Sequence, residues 1–145
     1  GDEDGRLVSA THVASDPLEQ ERIHRDFPDE VMFTHDGYLA PLDPELGASE
    51  VQLTRSLGHA LLRDVGVIAT PKVVTLDLAA EDAFGLVLCS DGVTDEISPR
   101  DIAGRVVRSD TPLEGARVLC QDAQDLCMDR NKVDDCTAVV VHFAT

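Results

Sequence analysis

A chain of 145 residues, 43 % of them apolar, is long enough for one domain with a real core and too apolar to be intrinsically disordered. Acidic residues outnumber Lys and Arg 28 to 12, giving a formal charge of −16. That field repels phosphate backbones and anionic membrane surfaces, so it argues against a nucleic-acid binder and favours metal cations or substrates with basic flanks.

The first residues, Gly1-Asp2-Glu3-Asp4-Gly5, have no basic region and no apolar core, so no signal peptide is read there. No apolar run approaches the ~18 residues of a membrane span. Residues 1 to 50 are rich in Asp, Glu and Pro. Within them Ser15-Asp16-Pro17 sets a capping residue before proline and predicts a helix through Leu18 to Arg25. The stretch from Pro28 to Ser49, broken by Pro41 and Pro44, reads as an irregular excursion, a mobile flap. Residues 13–50 are thus a helix-and-flap region inside one domain spanning 1–145.

Further on, Val73, Val74, Leu76 and Leu78 alternate with polar residues and predict a strand. Phe84-Gly85-Leu86-Val87-Leu88-Cys89 is a continuous apolar run, read as a strand buried on both faces and ended by the turn Ser90-Asp91-Gly92. Ser98-Pro99-Arg100-Asp101 and Thr111-Pro112-Leu113-Glu114 are two helix starts. After the second, Leu113, Ala116, Leu119, Cys120, Ala123, Leu126 and Cys127 recur at helical spacing, so one face must pack. The acids Asp122, Asp125 and Asp129 then form the solvated face. Thr137 to Phe143 is a β-branched run too apolar for an exposed edge. These elements allow a parallel α/β fold or helices layered over antiparallel sheets; periodicity does not decide between them.

Cys89, Cys120, Cys127 and Cys136 make no Cys-x-x-Cys pair. They read as small buried hydrophobes in a reducing compartment rather than zinc ligands or disulfides. The chemistry lies in two aspartate turns. Asp91-Gly92-Val93-Thr94-Asp95 follows one predicted strand, and Asp134-Asp135-Cys136-Thr137 precedes another. If those strands are antiparallel neighbours, Asp91 and Asp134 meet at one rim of the sheet. Two carboxylates so placed repel unless a cation lies between them, and hard oxygen donors select Mg²⁺, Mn²⁺ or Ca²⁺ over zinc. Each motif taken alone is an ordinary turn.

Taken in order, Leu53-Thr54-Arg55-Ser56-Leu57-Gly58, Gly66-Val67-Ile68-Ala69-Thr70-Pro71-Lys72-Val73, Leu88-Cys89-Ser90-Asp91-Gly92-Val93-Thr94-Asp95 and Asp134-Asp135-Cys136-Thr137-Ala138-Val139-Val140-Val141 resemble the second half of the metal-dependent serine/threonine protein phosphatases of type 2C. Thr11-His12, with Asp16 to Ile23, resembles the family segment leading into its helix and flap. The resemblance implies an α+β fold of two antiparallel sheets packed as a sandwich with helices on the outer faces, here incomplete. It also implies hydrolysis of phosphoserine and phosphothreonine in proteins by a metal-activated water, with two Mg²⁺ or Mn²⁺ ions per complete domain. By carry-over Asp91 and Asp134 are metal ligands, Asp95 belongs to a third metal site, and Asp135 stands where the family often has Asn. Thr137 is a candidate support beside Asp134. Arg55 is either a phosphate contact or the partner of an acid. His12 is read as structural.

The resemblance also has gaps. The family's N-terminal acidic pair, its preceding arginine and its Asp-Gly-His-Gly-Gly segment are absent, and His59 stands where an Asp usually follows Leu-Gly. Two functions therefore remain open: part of a phosphatase completed by a missing N-terminal half or a partner chain, with this chain inactive alone, or a noncatalytic phosphatase-like scaffold or regulatory module. The incomplete sandwich predicts unpaired edges and uncovered apolar faces. An intracellular location, cytoplasmic or nuclear, goes with either.

Overall fold

The computed structural model describes residues 5–46, 50–78 and 84–143. Two compact units divide the chain, one formed by Ser9–Val74 and the other by Thr75–Thr145 together with Gly1–Val8.

In the first unit, helix α1 spans Pro17–Asp26. Its start follows from local chemistry. The Asp16 carboxylate accepts the Leu18 N–H at 2.9 Å, and Pro17 occupies a position whose missing N–H costs nothing. Strands β1, Val31–Phe33, and β2, Leu39–Pro41, pair antiparallel with Met32 opposite Ala40. Gly37, at φ +82°, makes the turn between them. Leu39 also exchanges both backbone hydrogen bonds with Val51, at 2.8 and 3.0 Å. The core gathers Ala14, Ile23, Val31, Leu39, Leu62, Val65 and Val67. The expected irregular flap is thus corrected: its centre is a hairpin that delivers Val31 and the fully buried Leu39 to this core. Three-residue strands show too few alternations to be read from sequence, and it is burial that orders them.

In the second unit, β3, Gly85–Cys89, pairs antiparallel with β4, Ala138–His142, from Gly85 opposite His142 to Cys89 opposite Ala138. A single helical turn, α2, Asp91–Thr94, follows β3. Helices α3, Pro99–Val107, and α4, Pro112–Asp129, begin where their caps predict. Ser98 Oγ accepts the Asp101 N–H at 3.2 Å, and Thr111 Oγ1 accepts the Glu114 N–H at 3.2 Å. Val93, Ile97, Ile102, Val106, Leu119 and Ala123 form the core, with Val87, Cys89, Ala138 and Val140 packed against it. Helices over antiparallel ladders make an α+β fold, so the parallel arrangement is set aside.

Three further expectations are corrected here. The predicted strand at Val73 to Leu78 does not form: residues 71–77 have no regular structure and Val73 is 81 % exposed. Alternation supplies a pattern but not a partner strand to bond with. The β3–β4 ladder is buried on one face only. Val87 and Val140 point into the core, while Leu88 and its partner Val139 are 55 % and 53 % exposed. Finally, Leu113 lies outside the packed face of α4. That face starts at the buried Gly115, where a Cβ would meet Ser109 and Val106 at 3.6 Å, an ordinary contact distance.

Candidate functional site

The antiparallel register brings the end of β3 beside the start of β4, and Ser90 carries the ladder one step further. Its N–H donates to the Thr137 carbonyl at 3.0 Å, and its hydroxyl accepts the Thr137 N–H at 3.0 Å. The same hydroxyl donates to the Asp135 carbonyl at 3.1 Å. One serine thus holds the two aspartate turns together. From sequence, Ser90 reads only as part of a turn. A hydroxyl residue between a strand and an Asp-Gly pair is the one local signal, and its partners, about 45 residues away, leave no trace beside it.

Gly92 permits the close approach. A Cβ at this position would lie 2.6 Å from the Asp135 carbonyl oxygen and 3.4 Å from the Asp134 carboxyl carbon. The Asp134 carboxyl group therefore lies beside Gly92, next in sequence to Asp91. The Cys136 thiol donates to the Gly92 carbonyl at 3.3 Å and closes the seam. Each carboxylate is oriented locally: Asp91 Oδ1 accepts the Gly92 N–H at 3.0 Å, and Asp134 Oδ1 accepts the Asp135 N–H at 2.9 Å. Gly92→Ala should force these turns apart, because its nearest neighbour is backbone rather than a side-chain tip. The expected outcome is at least about a tenfold loss of Mn²⁺ affinity with unchanged far-UV circular dichroism, read by calorimetric titration.

The remaining candidates fall in different places. Asp95, expected near a third metal, has its Oδ2 3.3 Å from Lys132 Nζ. Asp135 and Thr137 meet Ser90 through their backbones, and both residues are exposed. Arg55, in the other unit, turns to an acid: its guanidinium grips Glu19, with Nη2 2.5 Å from Oε1, and Nη1 donates to the Thr70 carbonyl at 3.1 Å. Glu19 does not stand out in the sequence, although it shares a helix face with Ile23. Its side chain is 4 % exposed and also accepts from Arg22 Nη2 at 2.9 Å and Thr54 Oγ1 at 2.8 Å. Burial pushes its carboxyl up, but the hydrogen bonds from Arg55, Arg22 and Thr54 outweigh burial and bring it down to about 2. His12 Nδ1 lies 3.6 Å from the same carboxylate, without a hydrogen bond.

Asp91 and Asp134 offer hard oxygen donors, and the side-chain-free Gly92 leaves them room, which fits part of a Mg²⁺ or Mn²⁺ site. Among the described residues no group of three or more His, Cys, Asp or Glu could hold a metal by itself. No described helix is long and apolar enough to cross a membrane, and all four cysteines are free thiols.

A family model for protein phosphatase 2C matches residues 1–136. Probable protein phosphatase 2C 33 of Arabidopsis thaliana is 30 % identical over 103 residues, covering 69 % of this chain and 21 % of that protein. Protein phosphatase 2C homolog 4 of Schizosaccharomyces pombe is 33 % identical over 91 residues, 62 % of this chain and 23 % of its own length. A mitochondrial protein phosphatase 1K of Xenopus laevis is 33 % identical over 91 residues, 63 % of this chain and 23 % of its own. The crystal structure of a serine-threonine phosphatase 2C from Toxoplasma gondii superposes with a TM-score of 0.77 at 20 % identity, over 96 % of this chain and 47 % of that one. The chain thus spans less than half of the solved relative and about a fifth to a quarter of these three sequence relatives.

Proposed function

Because the chain belongs to the protein phosphatase 2C family, we propose that it forms part of a metal-dependent serine/threonine protein phosphatase that hydrolyses phosphoserine and phosphothreonine in protein substrates. The observation that carries this reading is the meeting of the Asp91 and Asp134 turns at one sheet margin, clamped by Ser90 and made possible by Gly92. In this reading Asp91 and Asp134 hold Mg²⁺ or Mn²⁺, which when bound supplies Lewis-acid charge and a water of lowered pKa. The chain's own work is to hold the two aspartate-bearing turns together until that cation arrives. The backbone N–H groups of Gly92 and Asp135 each fix one oxygen, and Ser90 fixes the distance between the turns. Asp135 and Thr137 support the loop from outside the ligand set.

The rest of the domain completes the ligand set, from the same polypeptide or from a partner chain. The exposed face of β3 and β4, with Leu88, Val139 and Val141, is the surface it covers. A reducing compartment, cytoplasmic or nuclear, belongs to the same proposal. The noncatalytic alternative draws on His59, which stands in the left-handed region at φ +53° with its Nδ1 2.8 Å from Ser56 Oγ.

The test joins this chain to the remaining length of a family domain and measures release of phosphate from a phosphothreonine peptide. Turnover should need Mn²⁺, vanish in EDTA and return when Mn²⁺ is restored, while the 145-residue chain alone gives little or none. Turnover that survives EDTA, or its complete absence from the joined protein in Mn²⁺, overturns the phosphatase reading.

A further inference from the structure

Lys132 lies where α4 ends and the Asp134 turn begins. Asn131, in the left-handed region at φ +54°, reverses the chain there, and the Lys132 N–H returns to the Cys127 carbonyl at 2.9 Å. The backbone therefore fixes the root of the side chain. Its ammonium faces three carboxylates at once: Asp95 Oδ2 at 3.3 Å, Glu96 Oε1 at 3.5 Å and Asp134 Oδ2 at 3.6 Å. The Glu96 side chain is 2 % exposed and has a second cation, Arg130 Nη1, at 2.8 Å from its other oxygen. Asp95 and Asp134 are both expected from sequence to serve metal ions, yet their facing oxygens share a cation that belongs to the protein.

We propose that Lys132 is a tethered cation that fills the Asp95 side of the rim, positioning Asp134 and withdrawing Asp95 from the divalent-ion ligands. Two consequences follow from charge alone. The ammonium repels a divalent ion that approaches Asp95, and it draws Asp134 Oδ2 toward α2. The rim then takes its ion on the Asp91 side. This builds on the reading of Asp134 as a ligand, but the part concerning Asp95 stands by itself.

The test is titration of the 145-residue chain with Mn²⁺, reading free Mn²⁺ by electron paramagnetic resonance. Lys132→Met should gain an additional Mn²⁺ equivalent or bind roughly tenfold more tightly than wild type. Lys132→Arg should match wild type, and the double variant Lys132→Met with Asp95→Asn should lose the gain. The proposal is overturned if Lys132→Met titrates like wild type, or if the gain survives loss of Asp95. It is also overturned if both Lys132→Met and Lys132→Gln fail to fold by circular dichroism, since Lys132 is then a structural residue. Asp134→Asn in the wild-type background checks the functional reading separately. Unchanged Mn²⁺ binding there removes Asp134 from the ligands and leaves the Asp95-dependent comparison unaffected.

Discussion

Asp91→Asn is expected to lower the Mn²⁺-dependent turnover proposed for the joined protein by at least about a hundredfold, with the fold intact. Asparagine keeps the shape and the Oδ1 acceptor that receives the Gly92 N–H, so the local turn survives. It removes the charge, and with it one of the two carboxylates that the proposed site offers a hard divalent ion. Asp91 is exposed, so the stability change without metal should stay within about 0.5 kcal/mol. Its sign is informative. In EDTA the variant carries one fewer negative charge on a strongly acidic chain and should melt at or slightly above the wild-type temperature. In excess Mn²⁺ the order reverses, because an ion bound only to the folded state contributes about 2.7 kcal/mol at a hundred times its dissociation constant. Melting curves of both proteins, with EDTA and with Mn²⁺, decide the matter. A variant that retains full turnover and the full Mn²⁺ shift would falsify the ligand assignment.

What sequence can reveal here depends on how local the physics is. The caps at Asp16, Ser98 and Thr111 are readable because a capping side chain bonds to N–H groups two or three residues away. The α4 face is readable at Leu119, Ala123 and Cys127 because apolar residues recur there at helical spacing. The first turn deceives, because helical spacing says nothing about where a neighbour stops. The β1–β2 hairpin escapes a sequence reading and the alternation at Val73 to Leu78 misleads it for one reason: a strand is a relation between distant segments, and alternation states only one side of it.

The site divides along the same line. Asp91 and Asp134 are legible as residue types in turns, but their convergence is conditional on an antiparallel pairing that only the β3–β4 register supplies. Ser90 is legible only as part of a turn and Lys132 not at all, since each acts on partners reached through the fold. Arg55 shows how the same chemistry can serve two ends. A guanidinium suited to phosphate is equally suited to a carboxylate, and here Glu19 holds it from within the same unit.

That pairing also governs the stability of its unit. Glu19→Gln should destabilise the unit formed by Ser9–Val74 by about 3–5 kcal/mol. The carboxylate is nearly fully buried and answers two guanidinium groups and the buried Thr54 hydroxyl. A neutral amide keeps the volume but leaves Arg22 and Arg55 facing each other without a counter-charge. For a chain of this size the melting temperature should fall by roughly 10–15 °C. The pH dependence gives a second, independent readout. The Glu19 carboxyl is lowered from 4.5 to about 2 in the folded protein. A depressed acid stabilises the fold above its unfolded value, and this stabilisation is lost as pH falls through the window from about 4.5 to about 2. The difference corresponds to about 3 kcal/mol. Wild type should therefore lose stability steeply across that window, and Glu19→Gln should lack this component of the slope. Urea unfolding at about pH 7, 4.5 and 3 measures both effects. A variant that melts within about 2 °C of wild type and keeps the same acid slope removes Glu19 as the charge hub of that core.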